Sequence, residues 1–176
     1  VINATLTIDA GVEVKGLPSD DAQTAAVLEV TRGSKLMAIG TRSAPIIFSS
    51  AKDDDYVSAA EWGGVQLSGY APHNKCDTDP CNVEGEGAAN FVGGSNSADN
   101  SGEMRYVIIT EGGTEISSGD EINGLSLNAV GNGTVLDYIQ IHDNLDDGVE
   151  YCGGTVDTKH LGVTGAGDDA AAWEEG

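Results

Sequence analysis

Short apolar runs, each bounded by Gly, Pro, Asn or Asp, recur along the chain and predict β-strands. The candidates in the first half are Thr5–Ile8, Val12–Lys15, Val27–Val30, Leu36–Ile39, Ile46–Ser49 and Val65–Leu67. The 176 residues include 25 glycines, a density that disfavours helices. The one helical element that we expect is a short turn over Asp20–Ala25, capped by Ser19. The pattern therefore predicts an all-β protein with many tight turns.

The second half contains a degenerate repeat with an offset of 22 residues, in which the segment 139–151 aligns with 161–173. Ile139 aligns with Leu161, Ile141 with Val163, and Tyr151 with Trp173. The pair Asp146-Asp147 aligns with Asp168-Asp169 in the same register. A period in the low twenties without helices is typical of one coil of a parallel β-helix.

An earlier copy of the repeat precedes these two at an offset of 24 residues. It aligns Gly124 with Gly148 and Leu125 with Val149, and the run 107–109 supplies the matching first strand. We therefore predict a right-handed parallel β-helix with coils of about 22–24 residues and a surface loop excursion near residues 70–101. The competing fold is an antiparallel sandwich, which would show two-residue hairpins and does not predict this repeat.

Several motifs occur in the order found in a group of bacterial β-helix proteins with the pectin-lyase-like fold. They are Gly33–Thr41, Pro45–Phe48, Trp62–Leu67, Glu84-Gly85, Gly93-Gly94, Ser101-Gly102, Arg105–Val107, Ile122–Leu125, Asp146–Gly148 and Gly153–Thr155. The chain resembles this uncharacterised group over nearly its whole length, and its members are often surface lipoproteins or secreted multidomain proteins. The resemblance implies the fold and export from the cell. It implies no particular reaction, since the group has no settled one and a fold does not fix a function.

The ends of the chain indicate how the domain is organised. We expect residues 1–176 to form one β-helix domain that is a fragment of a longer chain. The sequence stops at Trp173-Glu-Glu-Gly176, just after a strand that another coil should follow. A coil without a cap exposes unpaired backbone donors and acceptors, so either truncation or end-to-end self-association is expected.

Charge narrows the choice of partners. Eight Lys and Arg against 29 Asp and Glu give a formal net charge of −21. Nucleic acid is bound by clustered Lys and Arg, so it is excluded as an expected partner, as is an anionic membrane surface. No run of 18 apolar residues occurs, so we expect no membrane insertion by this segment. Cations are the expected partners, because they screen the self-repulsion of such a chain.

An acidic ladder is the best candidate site. The repeat register stacks Asn123, Asp147 and Asp169 at one turn, with Asp146 and Asp168 beside them. Two carboxylates on adjacent strands, about 4.8 Å apart, repel by about 1 kcal/mol in water and about 3.5 kcal/mol at an effective dielectric constant of 20. Oxygen ligands grouped on successive turns suit calcium, which we expect as the cofactor. The alternative is that these Asp residues only form turns, by bonding nearby backbone amides.

Paired aspartates also suit the acid and base of a glycosidase, and the pectin-lyase-like fold is known for polysaccharide hydrolases and lyases. The Gly-His-Gly and Arg-x-Lys patterns of pectin-type hydrolases are both missing. Only Arg105 and Lys159 supply a cationic base in the repeat region, and the sequence does not place them beside the aspartates. His142 and His160 are expected as surface or packed residues. Trp62, Trp173, Tyr106 and Tyr151 are expected to pack as rungs, with stacking on sugars as the alternative.

The three cysteines point to an oxidising compartment. Cys76 and Cys81 bracket a short polar loop and are predicted to form a disulfide, while Cys152 lies in an apolar stretch and is expected in the core.

The repeat, the charge, the acidic ladder and the cysteines together predict a non-catalytic extracellular or cell-surface β-helical module with a structural or adhesion role, which binds calcium. The alternative is a carbohydrate-active enzyme or a carbohydrate-binding domain with polysaccharide as its partner.

Overall fold

The computed structural model describes residues 1–18, 26–52, 58–75, 81–82, 91–117 and 120–174, and every regular element in these ranges is a β-strand. None of them forms a helix that could span a membrane. The predicted helical turn at Asp20–Ala25 with its cap Ser19 lies outside the described residues, as does Cys76, so the predicted disulfide with Cys81 stays a prediction.

Successive strands stack in parallel on three faces. The first face consists of β1 (Thr5–Ile8), β4 (Lys35–Ile39) and the first parts of β9 (Gly102–Thr110), β13 (Val135–Asn144) and β15 (Thr158–Ala166). The second face consists of β2 (Glu13–Gly16), β5 (Ile46–Ser50) and the later parts of those three long strands. The third face consists of β3 (Val27–Val30), β6 (Gly64–Ser68), β12 (Leu125–Asn128), β14 (Val149–Cys152) and β16 (Ala171–Glu174). This arrangement is a parallel β-helix, as the sequence predicts.

The strand register confirms the repeat. Ile139 pairs with Leu161 on the second face, and Leu125 pairs with Val149 on the third. Tyr151 pairs with Trp173, and their rings stack with centroids 5.5 Å apart. Like side chains therefore form columns along the axis of the coil, and the inward-facing columns make the core.

The core lies between the three faces and is built from apolar side chains of successive coils. Its largest fully buried members are Phe48, Leu36, Ile46, Leu67, Met104, Ile109, Ile122, Leu125, Leu127, Leu136, Ile139 and Ile141. Trp62 is 2% exposed, and its indole N–H donates to the Thr110 carbonyl at 2.7 Å. Cys152 is buried as predicted. Trp62 is thus a core residue and offers no surface for stacking on a sugar.

The excursion between β6 and β9 packs against the coil. It contains a short antiparallel pair, β7 (Cys81–Asn82) with β8 (Phe91–Val92). Arg32 donates to the Gly93 carbonyl at 2.7 Å and lies 4.6 Å from the centre of the Tyr70 ring. A second antiparallel pair, β10 (Glu115–Ser117) with β11 (Asp120–Glu121), lies in the connection between β9 and β12. Insertions of this kind explain why the repeat is irregular upstream of residue 124.

An aromatic corner, formed by Tyr106, Tyr138 and His160, separates the first face from the second. All three residues have a positive φ, of 49°, 56° and 49°, and each interrupts its long strand at the same level of the coil. A residue in this left-handed conformation bends a strand, much as a β-bulge does. Their rings stack along the axis, with centroid separations of 4.5 Å and 4.1 Å.

Candidate functional site

The acidic ladder lies at the corner between the second and third faces. Gly148 donates its N–H to the Asp169 carbonyl at 2.9 Å, and Gly124 donates to the Asp147 carbonyl at 3.0 Å. Turns of neighbouring coils therefore lie one above the other, as the repeat register requires. The close approach of the backbones explains the glycines, since a Cβ on Gly148 would lie 2.5 Å from Val163 Cγ1 and 2.8 Å from the Ala170 carbonyl oxygen.

Three of the five predicted ligands come together here, and we call Asp146, Asp147 and Asp168 the acidic corner. One carboxylate oxygen from each lies within 4.8 Å of the others. Asp146 and Asp147 come from one coil and Asp168 from the next, so parallel stacking assembles the cluster. Three hard oxygen donors at this spacing could serve as part of the shell of a calcium ion, which takes six to eight oxygens.

Asp147 has two roles. The residue is 8% exposed, and its Oδ1 accepts the backbone N–H of Asp169 in the next coil at 2.9 Å. The carboxylate of Asp147 thus joins two coils, whereas the turn-forming alternative requires a bond to an amide of the same turn. Only one of its two oxygens is needed for that hydrogen bond, so the bond does not exclude a second ligand at the other oxygen.

The carboxylates of the acidic corner are held in an unfavourable environment. Burial raises the pKa of Asp147, and the carboxylates of Asp146, Asp168 and Asp169 raise it further. Burial also raises the pKa of Asp146, with added repulsion from Glu121 and Asp168. Since a bound cation would relieve the same repulsion that a proton relieves, these shifts point to a site that favours positive charge.

The two other predicted ligands, Asn123 and Asp169, are not members of the group of three carboxylates. Asn123 lies at the predicted level, but its side-chain amide donates to Glu150 Oε2 at 2.7 Å. Asp169 contacts Asp147 through its backbone, and its carboxylate does not belong to the group of three described above. A part in metal binding for these two residues stays a prediction.

The candidate catalytic cations lie on another face. Arg105, Asp137 and Lys159 pair across the first face, and Arg105 Nη1 donates to Asp137 Oδ2 at 2.5 Å. His160 Nδ1 donates to Asp137 Oδ1 at 2.7 Å, and this hydrogen bond, with the charge of Arg105, holds the pKa of Asp137 below its usual value. The second-face part of β13 lies between Asp137 and Asp146 in the chain. Neither cation therefore lies beside the acidic corner.

Sequence reasoning expected Tyr106 to pack as a rung but missed its stack with Tyr138 and His160, although one signal could have revealed it. Tyr138 and His160 are 22 residues apart, the offset of the repeat, and each directly precedes an aligned strand. The register of Tyr106 with Tyr138 could not be recognised, because an insertion increases their separation to 32 residues.

Comparison with known proteins is consistent with this architecture. Residues 2–176 match the family model described as a pectate-lyase-like β-helix domain. No curated protein and no solved structure matches the chain.

Proposed function

The chain belongs to the family of pectate-lyase-like β-helix domains, and from that premise we propose that it is a non-catalytic, extracellular β-helical module whose acidic corner binds calcium. The observation that carries the proposal is the convergence of three carboxylate oxygens within 4.8 Å, two of them from groups whose pKa is raised. Calcium would join one coil to the next at a point where their like charges repel. An acidic module of stacked coils suits a structural or adhesion role outside the cell.

Two observations favour a binding role over catalysis. The cations that a lyase would use, Arg105 and Lys159, line a small polar pocket on the first face together with Asp137 and Asp157. Arg105 is engaged there in ion pairs with Glu103 and Asp137. A base that abstracts a proton must reach the substrate beside the metal, and neither residue is placed to do so.

Calcium titration tests the proposal. We expect millimolar calcium to raise the melting temperature of the wild type, by an amount that grows with the ratio of free calcium to Kd, and about 2.7 kcal/mol is gained at 100 times Kd. Asp147→Asn should lose this gain, because the amide keeps an oxygen for the Asp169 N–H but removes the charge. Differential scanning calorimetry at fixed ionic strength measures both.

Asp157→Asn is the matched control. It makes the same change of charge at an exposed residue in the turn between the third and first faces, so it should respond to calcium as the wild type does. If calcium raises the melting temperature of Asp147→Asn and Asp157→Asn equally, the stabilisation is general charge screening, and the proposed site is contradicted.

A carbohydrate-active enzyme is the second candidate, favoured by one observation. Carboxyl groups about 5–5.5 Å apart are typical of retaining glycosidases, and the acidic corner brings its oxygens within 4.8 Å. Asp147, with its raised pKa, would be the acid. Polysaccharides incubated with the protein and assayed for reducing ends and unsaturated products test this. Turnover that Asp147→Asn abolishes and Asp157→Asn leaves intact would replace the binding role with catalysis.

A further inference from the structure

A groove of about 360 Å³ runs across four coils on the outer side of the second face, beside the aromatic corner. Pro45, Ile108, Gln140 and Gly162 line it, and each comes from a different coil. Four coils at about 4.8 Å each place roughly 14 Å between the first and the last. The groove therefore has the length and the volume of a site for a small organic molecule that lies along the axis.

The groove has few free hydrogen-bonding groups. The hydroxyl of Thr41 already accepts the Ala44 N–H at 3.1 Å, and that of Thr164 lies in a hydrogen bond of 2.8 Å with His142 Nδ1. Most of the remaining surface is apolar and comes from Pro45 and the aromatic corner, among others. A ligand with many hydroxyl groups would lose hydrogen bonds to water that this lining does not replace. The groove therefore favours a largely apolar ligand.

The aromatic corner presents ring edges to the groove. The ring planes of Tyr106 and Tyr138 are 6° apart, and those of Tyr138 and His160 are 3° apart, so both faces of the Tyr138 ring are covered by its neighbours. Since Tyr138 is nonetheless 41% exposed, the part of its ring that a ligand can reach is the edge. The edge of an aromatic ring carries positive partial charge and packs well against the face of another ring. These edges therefore favour an aromatic ligand, and they favour negative over positive charge.

The groove contains one positive charge without a counter-charge. Lys52 and Arg105 each form an ion pair with a carboxylate, whereas the described residues supply no ion-pair partner to Arg42, at one end of the groove. None of the described residues that line the groove has a carboxylate. His160, the other basic group there, donates to Asp137 at 2.7 Å, so its charge is matched when it is protonated. The guanidinium of Arg42 is thus the natural partner for one carboxylate of a ligand.

We propose that this groove binds a small planar aromatic molecule with one carboxylate, which lies along the axis against the ring edges of the aromatic corner. The carboxylate pairs with Arg42, and Pro45 and Ile108 contact the apolar body of the ligand. One negative charge is enough for a bidentate pair, and each further charge would add repulsion from a molecule with a net charge of −21. Gln140 lies two coils further along, about 10 Å away, where its amide can bond a polar group at the other end of the ligand. The site is separate from the acidic corner and does not depend on calcium.

Three probe molecules test the chemistry of the ligand, in titration calorimetry with EDTA present. The wild type should bind 2-naphthoate, which has a planar aromatic body and one carboxylate. It should bind 2-naphthamide, which keeps the rings and lacks the charge, about tenfold more weakly or worse, equivalent to one decade in Kd. Cyclohexanecarboxylate, which keeps the charge and lacks the aromatic ring, should be weakened by a similar factor.

Two variants test the position of the site. Gln140→Glu adds a carboxylate to the groove with almost no change of shape, and Arg42→Gln removes the guanidinium, so each should weaken the binding of 2-naphthoate about tenfold. Thr7→Glu is the control for the first variant, because it adds the same charge at an exposed residue of β1, and Lys35→Gln on β4 is the control for the second. Neither control position lines the groove, so both should bind as the wild type does.

Melting curves show that each variant is folded before its affinity is compared, and the two groove variants test the site independently of each other. Any one of three results would overturn the proposal. They are that 2-naphthoate does not bind at millimolar concentration, that 2-naphthamide or cyclohexanecarboxylate binds as tightly as 2-naphthoate, or that the groove variants bind no more weakly than their controls. Since EDTA removes calcium, none of these outcomes bears on the acidic corner.

Discussion

At the residue scale, the aromatic corner shows how neighbours compensate for an unfavourable backbone. Tyr106, Tyr138 and His160 have left-handed backbones, a conformation that costs a residue with a Cβ about 1–2 kcal/mol. Each ring stack returns about 0.5–1.5 kcal/mol beyond its buried area. The two ring stacks thus offset part of the cost of the three left-handed residues. No residue-by-residue reading predicts this, because Tyr on its own rarely adopts a positive φ.

The acidic corner predicts a pH dependence of stability. The raised pKa values of Asp146 and Asp147 mean that the folded protein binds protons there more tightly than the unfolded chain does. Their contribution to stability is therefore present at low pH and is lost as the pH rises through the raised values. Without calcium, we expect the melting temperature to increase as the pH falls from 7 towards the ordinary Asp pKa of about 3.9.

Asp147→Asn should weaken the dependence of the melting temperature on pH, because it removes one of the two carboxyl groups with a raised pKa. Asp157→Asn, which leaves both groups in place, should keep more of that dependence. Asp137 acts in the opposite sense: its lowered pKa gives stability that is lost only as the pH falls through that lowered value, below the window measured. Thermal melts of the three proteins at several pH values make the comparison. Parallel curves for Asp147→Asn and the wild type would contradict the assigned burial of the Asp147 charge.

At the scale of the element, glycines of similar sequence context have different roles. Gly148 lies where two coils touch, whereas Gly162 lies on an open strand surface. Gly148→Ala should destabilise the protein by about 1–3 kcal/mol through overpacking. Gly162→Ala should stabilise it by about 0.5–1 kcal/mol, because alanine loses less backbone entropy on folding. Urea unfolding of both variants gives these values, and equal effects would contradict the packing described.

The strands themselves were largely predictable. The six candidates of the first half match β1 to β6 to within one residue at each end, since each apolar run is bounded by turn residues. The register of Leu125 with Val149 and of Tyr151 with Trp173 followed from the repeat. The hydrogen-bond partner of a polar side chain could not be predicted from the repeat. Asn123 lies at the predicted level of the coil, but its side chain donates to Glu150, because a repeat determines the position of the backbone and not the rotamer.

At the scale of the whole molecule, the large negative net charge lowers the stability of the folded state. A charge of −21 on 176 residues destabilises the compact state by self-repulsion. Raising NaCl from 0.01 M to 1 M shortens the screening length from about 30 Å to about 3 Å. We therefore expect the melting temperature to rise with NaCl in the absence of divalent ions, as followed by circular dichroism. A melting temperature that falls would mean that ion pairs such as Arg105 with Asp137 outweigh the repulsion.

The pairing of β6 with β12 has a consequence for how such a molecule can change. Val65 lies beside Leu125 although 60 residues separate them, and the excursion and the β10–β11 pair both emerge between them without shifting the register. Residues inserted at a corner therefore do not change the register of the buried side-chain columns. A foreign domain could be inserted within the excursion, with the contacts of Arg32 to Tyr70 and Gly93 kept, and the coils beneath would still stack in the same register.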